Sequence, residues 1–228
     1  MALYAISDLH LALSGDKPMD VFGEQWYKHE EKIKNNWVEK IKQEDTILIS
    51  GDISWSMKME EGLADLKWIH ELPGTKILIR GNHDYWWTSI NKLNSLYDNM
   101  KFIQNNFFTY EDYAICGTRG WTCPGGEKFT EHDKKIYSRE QIRLKLSLDE
   151  AKTAGYNKII VMLHYPATND KFEDSDFTEI IKEYGVEKVI YGHLHGYSLG
   201  RVLKGERQGT EYILTSCDYI NFDPVRIL

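Results

Sequence analysis

Short apolar runs alternate with longer amphipathic stretches along the 228 residues of the chain. Five runs are rich in β-branched residues and almost continuously apolar, which is typical of strands buried on both faces. They lie at Leu3–Ser7, Thr46–Ser50, Lys76–Arg80, Lys158–Leu163 and Lys188–Tyr191. Apolar positions at helical spacing predict helices over Glu24–Lys42, Met57–Glu71, Thr88–Tyr97, Ser138–Ala154 and Ser175–Tyr184. The alternation predicts one layered α/β domain over residues 1–228.

The remaining segments are less regular. Asn106–Tyr110 and Tyr113–Gly117 have the pattern of a hairpin, and the tail suggests two more strands at Gly196–Leu203 and Thr210–Ser216. Two stretches, residues 11–23 and 119–137, fit neither period. Each follows a predicted strand, so we expect both to be loops around a site.

Polar clusters follow all five predicted strands. In α/β sheets, ligands gather where parallel strands end, and Asp, Asn and His carry the oxygen and nitrogen donors that suit divalent metals. The clusters are Ser7-Asp8-Leu9-His10, Gly51-Asp52, Gly81-Asn82-His83-Asp84, His164, and Gly192-His193-Leu194-His195. In extended chain, residues two apart point to the same side, so each Asp-x-His or His-x-His pair can face one metal cluster. Singly, each cluster also has an ordinary explanation as a turn or a helix cap. The clusters contain nine Asp, Asn and His residues after five predicted strands, which favours a metal site.

The composition of the chain bears on its binding partners and its compartment. The net charge of −7 argues against a nucleic-acid partner, which needs a basic face. No apolar run has the length of a membrane span, and the N-terminal residues lack the basic region of a signal peptide. The odd number of cysteines, three, predicts reduced buried thiols and a cytoplasmic protein.

The ordered series from Asp8 to His195 resembles the motifs of the calcineurin-like metallophosphoesterases. The resemblance covers nearly the whole chain and implies a four-layer α/β/β/α sandwich with two central mixed β-sheets flanked by helices. It implies two metal ions, Mn, Fe, Zn or similar. Carried over by motif, the ligands would be Asp8, His10 and His195 for one ion, and Asn82, His164 and His193 for the other, with Asp52 bridging both.

The same resemblance implies a reaction. A hydroxide bridging the two ions would attack the phosphorus of a small-molecule phosphomonoester or phosphodiester. His83 would act as the acid or as a phosphate-binding group, with Asp84 orienting and charging it. Arg80 would contact phosphate or form a surface salt bridge.

Departures from the family patterns narrow the substrate. Gly51-Asp52 is followed by Ile53-Ser54-Trp55. The protein phosphatases have an Arg-Gly segment after this motif, and the purple acid phosphatases have a tyrosine metal ligand at the position of Trp55, so both classes are disfavoured. In the irregular stretch, Arg119 could bind a second phosphate or a carboxylate, as could Arg139 or Arg143 downstream, and Trp121 could stack on a base or sugar. Five tryptophans near the motif loops favour a nucleotide-like substrate, although each alone is typical of a core residue.

Two other classes stay open at this point. A metal-dependent nuclease would show a basic groove, which the acidic balance disfavours. A catalytically inactive binding module on the same fold would have lost ligands, and every motif here is complete. The sequence leaves the oligomeric state open.

Overall fold

The computed structural model describes residues 1–15, 17–125 and 129–228. Its helices are α1 (His29–Lys40), α2 (Met59–Glu71), α3 (Ile90–Asn94), α4 (Glu131–Thr153) and α5 (Asp176–Glu183). Its strands are β1 (Leu3–Ile6), β2 (Thr46–Ile49), β3 (Thr75–Leu78), β4 (Met100–Phe102), β5 (Phe108–Tyr110), β6 (Tyr113–Thr118), β7 (Lys158–Leu163), β8 (Lys188–Tyr191), β9 (Gly205–Arg207), β10 (Thr210–Leu214) and β11 (Val225–Arg226).

The strands form two mixed sheets. The first has the order β11-β1-β2-β3-β4, in which β1 to β4 are parallel and β11 is antiparallel to β1. The second has the order β5-β6-β7-β8-β10-β9, with a parallel centre and an antiparallel strand at each edge. Helices cover the outer faces, so the four-layer sandwich predicted from the sequence is confirmed.

Burial on both faces explains why the central strands read as continuous apolar runs. On β2, Ile47 and Ile49 pack outward with residues of α1 and α2, while Leu48 packs inward between the sheets. On β7, Ile160 and Met162 face the same inter-sheet core, and the alternate residues face α4 and α5. Three apolar layers therefore stack through the molecule, two under helices and one between the sheets.

The two sheets are joined directly beside the ends of β1 and β10. The Ser7 amide donates to the Thr215 carbonyl at 2.8 Å, and the Cys217 amide donates to the Ser7 carbonyl at 3.1 Å. This bridge brings the carboxyl ends of parallel strands from both sheets to one edge, where loops are free to carry ligands.

Several predicted elements differ from the structure. The helix predicted from Glu24 begins instead at His29, because Trp26 turns into the core and Lys28 adopts a left-handed φ of 52°. The strand predicted at residues 196–203 is a 3-10 helix, Gly196–Arg201, held by the Ser198 hydroxyl, which accepts the His195 amide at 2.8 Å. The tail strand that pairs with β10 is β9 instead.

Helix α4 starts seven residues before the predicted Ser138. Thr130 and Asp133 cap its first turn reciprocally, a sequence signal that the apolar period alone does not reveal. The irregular stretch predicted at residues 119–137 therefore ends at Thr130, and its residues 126–128 lie outside the described part of the chain.

Candidate metal centre

The predicted ligands come together where the two sheets meet. Each follows the carboxyl end of a parallel strand: β1, β2 and β3 in the first sheet, and β7 and β8 in the second. They are Asp8, His10, Asp52, Asn82, His164, His193 and His195. All except Asn82 belong to two groups of three residues whose ligand atoms lie within 4.8 Å of one another, and each group could hold a metal ion.

The backbone at these positions is unusual. Asp8, His10, Asp52 and His193 have φ values of 59°, 47°, 51° and 73°, in the left-handed region that non-glycine residues rarely adopt. Such conformations cost free energy and persist where the surrounding structure enforces them, which is common at functional sites. The extended chain expected from the Asp-x-His and His-x-His spacing is therefore not what brings these side chains together.

The first group consists of Asp8, His10 and His195. The Asp8 carboxylate is fully buried and accepts the Ser7 hydroxyl at 2.6 Å and the His193 amide at 3.1 Å. The Nε2 atom of His195 lies 3.2 Å from Asp8 Oδ1, yet it makes no hydrogen bond within the described residues. Two ligand atoms that face each other without sharing a hydrogen bond are well placed to share a cation.

The second group consists of Asp52, His164 and His193. Nδ1–H of His164 donates to the Ser50 carbonyl at 2.9 Å, which orients the other ring nitrogen toward the site. That nitrogen, Nε2, lies 2.8 Å from Asn82 Oδ1. The amide oxygen predicted as a ligand is thus beside the second group.

Asp52, a member of the second group, also approaches the first group. Its Oδ2 atom is 3.4 Å from His164 Nε2 and 3.9 Å from His10 Nε2, while its Oδ1 accepts the His83 amide at 2.8 Å. One carboxylate oxygen is therefore near imidazole nitrogens of both groups.

Two glycines make this approach possible. Gly51 has a φ of +90°, and a Cβ atom there would lie 2.7 Å from the Gly81 Cα. A Cβ atom on Gly81 would lie 2.1 Å from both the amide nitrogen and the Oδ1 of Asp52. The turns after β2 and β3 therefore touch backbone to backbone.

Neighbouring histidines favour the ionised form of both acidic candidate ligands, Asp8 and Asp52. Burial acts to raise the pKa of Asp8, but His195, His164 and His10 outweigh it and hold this pKa well below its usual range. The pKa of Asp52 is lowered in the same way, chiefly by His164 against the effect of burial. Ionised carboxylates are the form that binds metal.

Asp218 is a functional candidate that the sequence interpretation missed. Its carboxylate accepts Nδ1–H of His195 at 2.7 Å, so Nε2 of that ring points at Asp8. A carboxylate behind a histidine ligand fixes the tautomer and orientation of the ring. The signal was present, because Asp218 lies in a polar stretch directly after β10, like the other five clusters.

His83 belongs to neither group. Its half-buried ring lies 4.4 Å from the Trp55 ring and 5.9 Å from the His10 ring, centroid to centroid, so it stands beside the first group. Trp55 also stacks on His10 at 4.8 Å. The predicted acid is thus at the site and separate from the ligand groups.

Asp84 differs from its predicted role. Its buried carboxylate accepts the amides of Gly81 at 2.7 Å, Ile53 at 2.9 Å and Ser54 at 3.1 Å, together with the Trp86 indole at 3.0 Å. A hydrogen bond to the His83 ring is not among its contacts in the described part of the chain. Burial raises the pKa of Asp84 to about 6, aided by Asp52. Asp84 therefore ties together the loops after β2 and β3.

Arg119 and Trp121 lie beside the second group. The Arg119 guanidinium is 4.5 Å from the Trp121 ring, which is 5.0 Å from the Tyr165 ring, which in turn is 4.0 Å from the His193 ring. This series of ring contacts links the irregular stretch to the candidate ligands. Among the other tryptophans, Trp26 and Trp86 are buried in the core and are not available for stacking on a substrate.

Comparison with known proteins identifies the family of the chain. The sequence profile of the calcineurin-like phosphoesterases matches residues 1–197. The chain belongs to the calcineurin-like phosphoesterase family. The gene 66 protein of a Mycobacterium phage is 23% identical over 199 residues, which cover 87% of this chain and 81% of that protein.

Solved structures show the same fold. The phosphopantetheinyl hydrolase of Mycobacterium tuberculosis is 14% identical, with a TM-score of 0.61 and coverage of 100% of this chain and 95% of that one. A Thermus thermophilus protein gives 16% identity, a TM-score of 0.58 and coverage of 93% and 87%. A protein of unknown function from Aquifex aeolicus is 19% identical, with a TM-score of 0.52 and coverage of 99% of this chain and 95% of that one.

Membership of the family makes the chain a metal-dependent phosphohydrolase whose substrate is a phosphate ester. Within the described residues, no helix is both long enough and apolar enough to cross a bilayer.

Proposed function

We propose that the chain, acting as one domain over residues 1–228, hydrolyses small-molecule phosphate esters with two metal ions. The position of Asp52 carries the proposal. Its Oδ2 atom is near His10 Nε2 of the first group and His164 Nε2 of the second, so a single carboxylate oxygen can serve both ions. Two separate mononuclear sites would not need a shared carboxylate.

The side chains present fit two such ions. The first ion would be held by Asp8, His10 and His195, and the second by Asn82, His164 and His193, with Asp52 shared. The mixture of imidazole, carboxylate and amide donors suits Mn, Fe or Zn. Nε2 of His195, which faces Asp8, is buried without a hydrogen-bond partner in the described residues, as suits a nitrogen that binds a metal ion.

When bound, the two ions supply positive charge for the phosphoryl oxygens and make a water molecule acidic enough to ionise near neutral pH. The chain supplies the rest. Asp52 and Asp8 provide the negative charge that retains the ions, while the carbonyl of Ser50 and the carboxylate of Asp218 fix the rings of His164 and His195. A preorganised site avoids reorganisation during the reaction.

His83 is the residue that we assign to the leaving group. Its amide donates to Asp52 Oδ1 at 2.8 Å, and Trp55 packs against its ring, so the imidazole is held beside the site without belonging to a ligand group. From there it can donate a proton to the departing oxygen or a hydrogen bond to a phosphoryl oxygen.

The substrate is a small phosphate ester, either a monoester or a diester, and a nucleotide-like group could stack on Trp121. A catalytically inactive binding module is the weaker alternative, because the ligand groups are complete. A nuclease is also weaker, since the net charge of −7 gives little attraction for a long phosphate backbone.

The test is a paired metal and activity titration. Metal-stripped protein is loaded with Mn, Fe or Zn ions in steps, and hydrolysis of p-nitrophenyl phosphate and bis-p-nitrophenyl phosphate is followed at each step. We expect activity to rise to a plateau at two equivalents per chain by elemental analysis, with the ratio of the two rates giving the ester preference. Full activity at one equivalent would overturn the two-ion proposal, and the absence of activity with every metal would favour the binding module.

A further inference from the structure

Four arginines lie close to the turns of the candidate metal centre, and three of them surround a single acidic side chain, Glu140. Arg80 follows β3, Arg119 follows β6, and Arg139 and Arg143 lie on α4. Arg80, Arg119 and Arg143 line one small cavity, together with Glu140 and the residues that follow β4. The cluster is strongly basic although the whole chain carries a net charge of −7.

Glu140 forms ion pairs with three of these arginines. Its carboxylate is fully buried and accepts the Thr118 hydroxyl at 2.6 Å, while Nη1 of Arg143 donates to it at 3.0 Å and Nη2 of Arg119 at 3.4 Å. The exposed Arg139 is farther away, with its Nε 3.7 Å from the same carboxylate. One negative charge thus positions several guanidinium groups without neutralising them.

Some N–H groups of these guanidinium groups remain available as hydrogen-bond donors. Each has five N–H bonds in a planar fork. Nε of Arg119 is buried and has no hydrogen-bond partner in the part of the chain that the structure describes. The hydrogen bond that fixes Arg80 runs from its Nε to the Asp84 carbonyl at 3.1 Å. Buried donors without acceptors cost free energy, so an arrangement of this kind is matched to an incoming oxyanion.

The cluster is attached to the turns that carry the candidate ligands. Arg80 lies two residues before Asn82. The carbonyl of Arg119 accepts the amide of His164 at 3.0 Å. The turns that carry Arg80 and Arg119 therefore adjoin the turns that carry Asn82 and His164.

We propose that Arg80, Arg119 and Arg143 bind a second anionic group of the substrate, a phosphate or a carboxylate set apart from the phosphate that is hydrolysed. The inference rests on the proposed hydrolysis at the metal centre and names the substrate class, a phosphate ester with two anionic groups. Guanidinium forks bind both oxyanions through paired charge-assisted hydrogen bonds.

The experiment compares inhibitors of p-nitrophenyl phosphate hydrolysis by the metal-loaded enzyme. Methylphosphonate carries one anionic group, and two homologous series carry two: α,ω-bisphosphonates and phosphonocarboxylates with one to three linking carbons. Excess metal is kept in solution so that chelation by the inhibitors does not remove metal from the protein. The quantity measured is the inhibition constant of methylphosphonate divided by that of each dianionic ligand.

For the wild type we expect this ratio to exceed about tenfold for at least one linker length, and the preferred series distinguishes phosphate from carboxylate. Arg143→Gln and Arg80→Gln should each reduce the ratio about tenfold, which corresponds to one charge-assisted hydrogen bond. Arg139→Gln is the control, because it removes the same charge from an exposed position on the same helix that does not line the cavity, and it should leave the ratio unchanged.

A ratio near one for every linker, with methylphosphonate still inhibiting, would overturn the second anion site and leave the proposed hydrolysis intact. An equal fall of the ratio in all three variants would also overturn it, since net charge alone would then explain the effect. If methylphosphonate does not inhibit and no ester is hydrolysed, the proposed function itself fails.

Discussion

Replacing Asp218 tests whether a carboxylate behind His195 sustains metal binding. Nδ1–H of His195 donates to Asp218 Oδ1 at 2.7 Å, and the Asp218 side chain is only 4% exposed. Asp218→Ala removes the acceptor and leaves a buried N–H without a partner. The ring can then turn away from Asp8, so we expect weaker binding of the ion in the first group.

The expected loss follows from the chemistry of that hydrogen bond. A hydrogen bond to a charged group contributes about 1.5–3 kcal/mol, and each 1.4 kcal/mol is roughly a factor of ten in affinity. Asp218→Ala should therefore weaken metal binding about 10- to 100-fold, which agrees with typical effects of residues that orient a ligand. Asp218→Asn keeps a neutral acceptor and should lose only about 3- to 10-fold.

The loss should depend on pH with a definite sign. Burial acts to lower the pKa of His195, but Asp8 and Asp218 outweigh it and raise this pKa to about 10. Metal needs the neutral imidazole, so at pH 7 the ion competes with a proton. Removing Asp218 lowers the pKa of His195, so a proton competes less with the metal ion for this ring at pH 7. This gain offsets part of the loss of metal affinity at pH 7, but less of it at pH 9. The affinity deficit of Asp218→Ala should therefore grow between pH 7 and pH 9.

The assay is a titration of metal-free protein with Mn or Zn ions against a chelating dye at pH 7, 8 and 9. Asp112→Asn is the matched control, because Asp112 pairs with Lys158 on an exposed turn away from the site. Thermal unfolding verifies that each variant is folded. Affinities within twofold of the wild type at every pH would refute the reasoning, and equal losses for the alanine and asparagine variants would exclude the hydrogen bond as its basis.

Three further predictions concern the ligand turns. Asp52→Asn should lower hydrolysis by about 100-fold or more with the fold intact by circular dichroism, since the amide keeps the shape without the charge, and activity within a few-fold would exclude a shared ligand. His83→Ala should keep both metals and lose about 10²–10⁴ in rate on alkyl phosphates but less on p-nitrophenyl esters, which need no proton on the leaving group. Loss of a metal would make it a ligand, and equal losses would indicate phosphate positioning. Gly81→Ala should release metal by elemental analysis, because its Cβ would lie 2.1 Å from Asp52 Oδ1, whereas Gly200→Ala, with open space around it, should retain it.

The strands that the sequence predicted well are those buried on both faces. β2, β3, β7 and β8 each show an apolar run because two apolar layers enclose them, and this pattern is local to a few residues. The short strands β4 and β11 were missed, since three- and two-residue strands carry no periodic signal and are defined by pairing with β3 and β1. Helix α1 begins at His29 rather than at the predicted Glu24, because the packing of Trp26 in the core overrides the helical pattern.

The candidate ligands could be found in the sequence because each polar cluster directly follows an apolar strand, and the chemistry of Asp, Asn and His is independent of the fold. Their grouping could not be derived from spacing. His193 and His195 are two residues apart yet belong to different groups, because the left-handed backbone at His193 separates their rings.

The sequence by itself determined the layered fold and the order of the candidate metal ligands, because both appear as local patterns of apolar and polar residues. Only the tertiary structure decided which other side chains contact the candidate ligands and the arginines beside them. Asp218 meets His195, Glu140 meets Arg119, and Asp84 binds the loop amides rather than His83. These partners are set by the order of strands in two sheets and by the bridge between Ser7 and Thr215, and long-range hydrogen bonding of this kind leaves no periodic trace in a sequence.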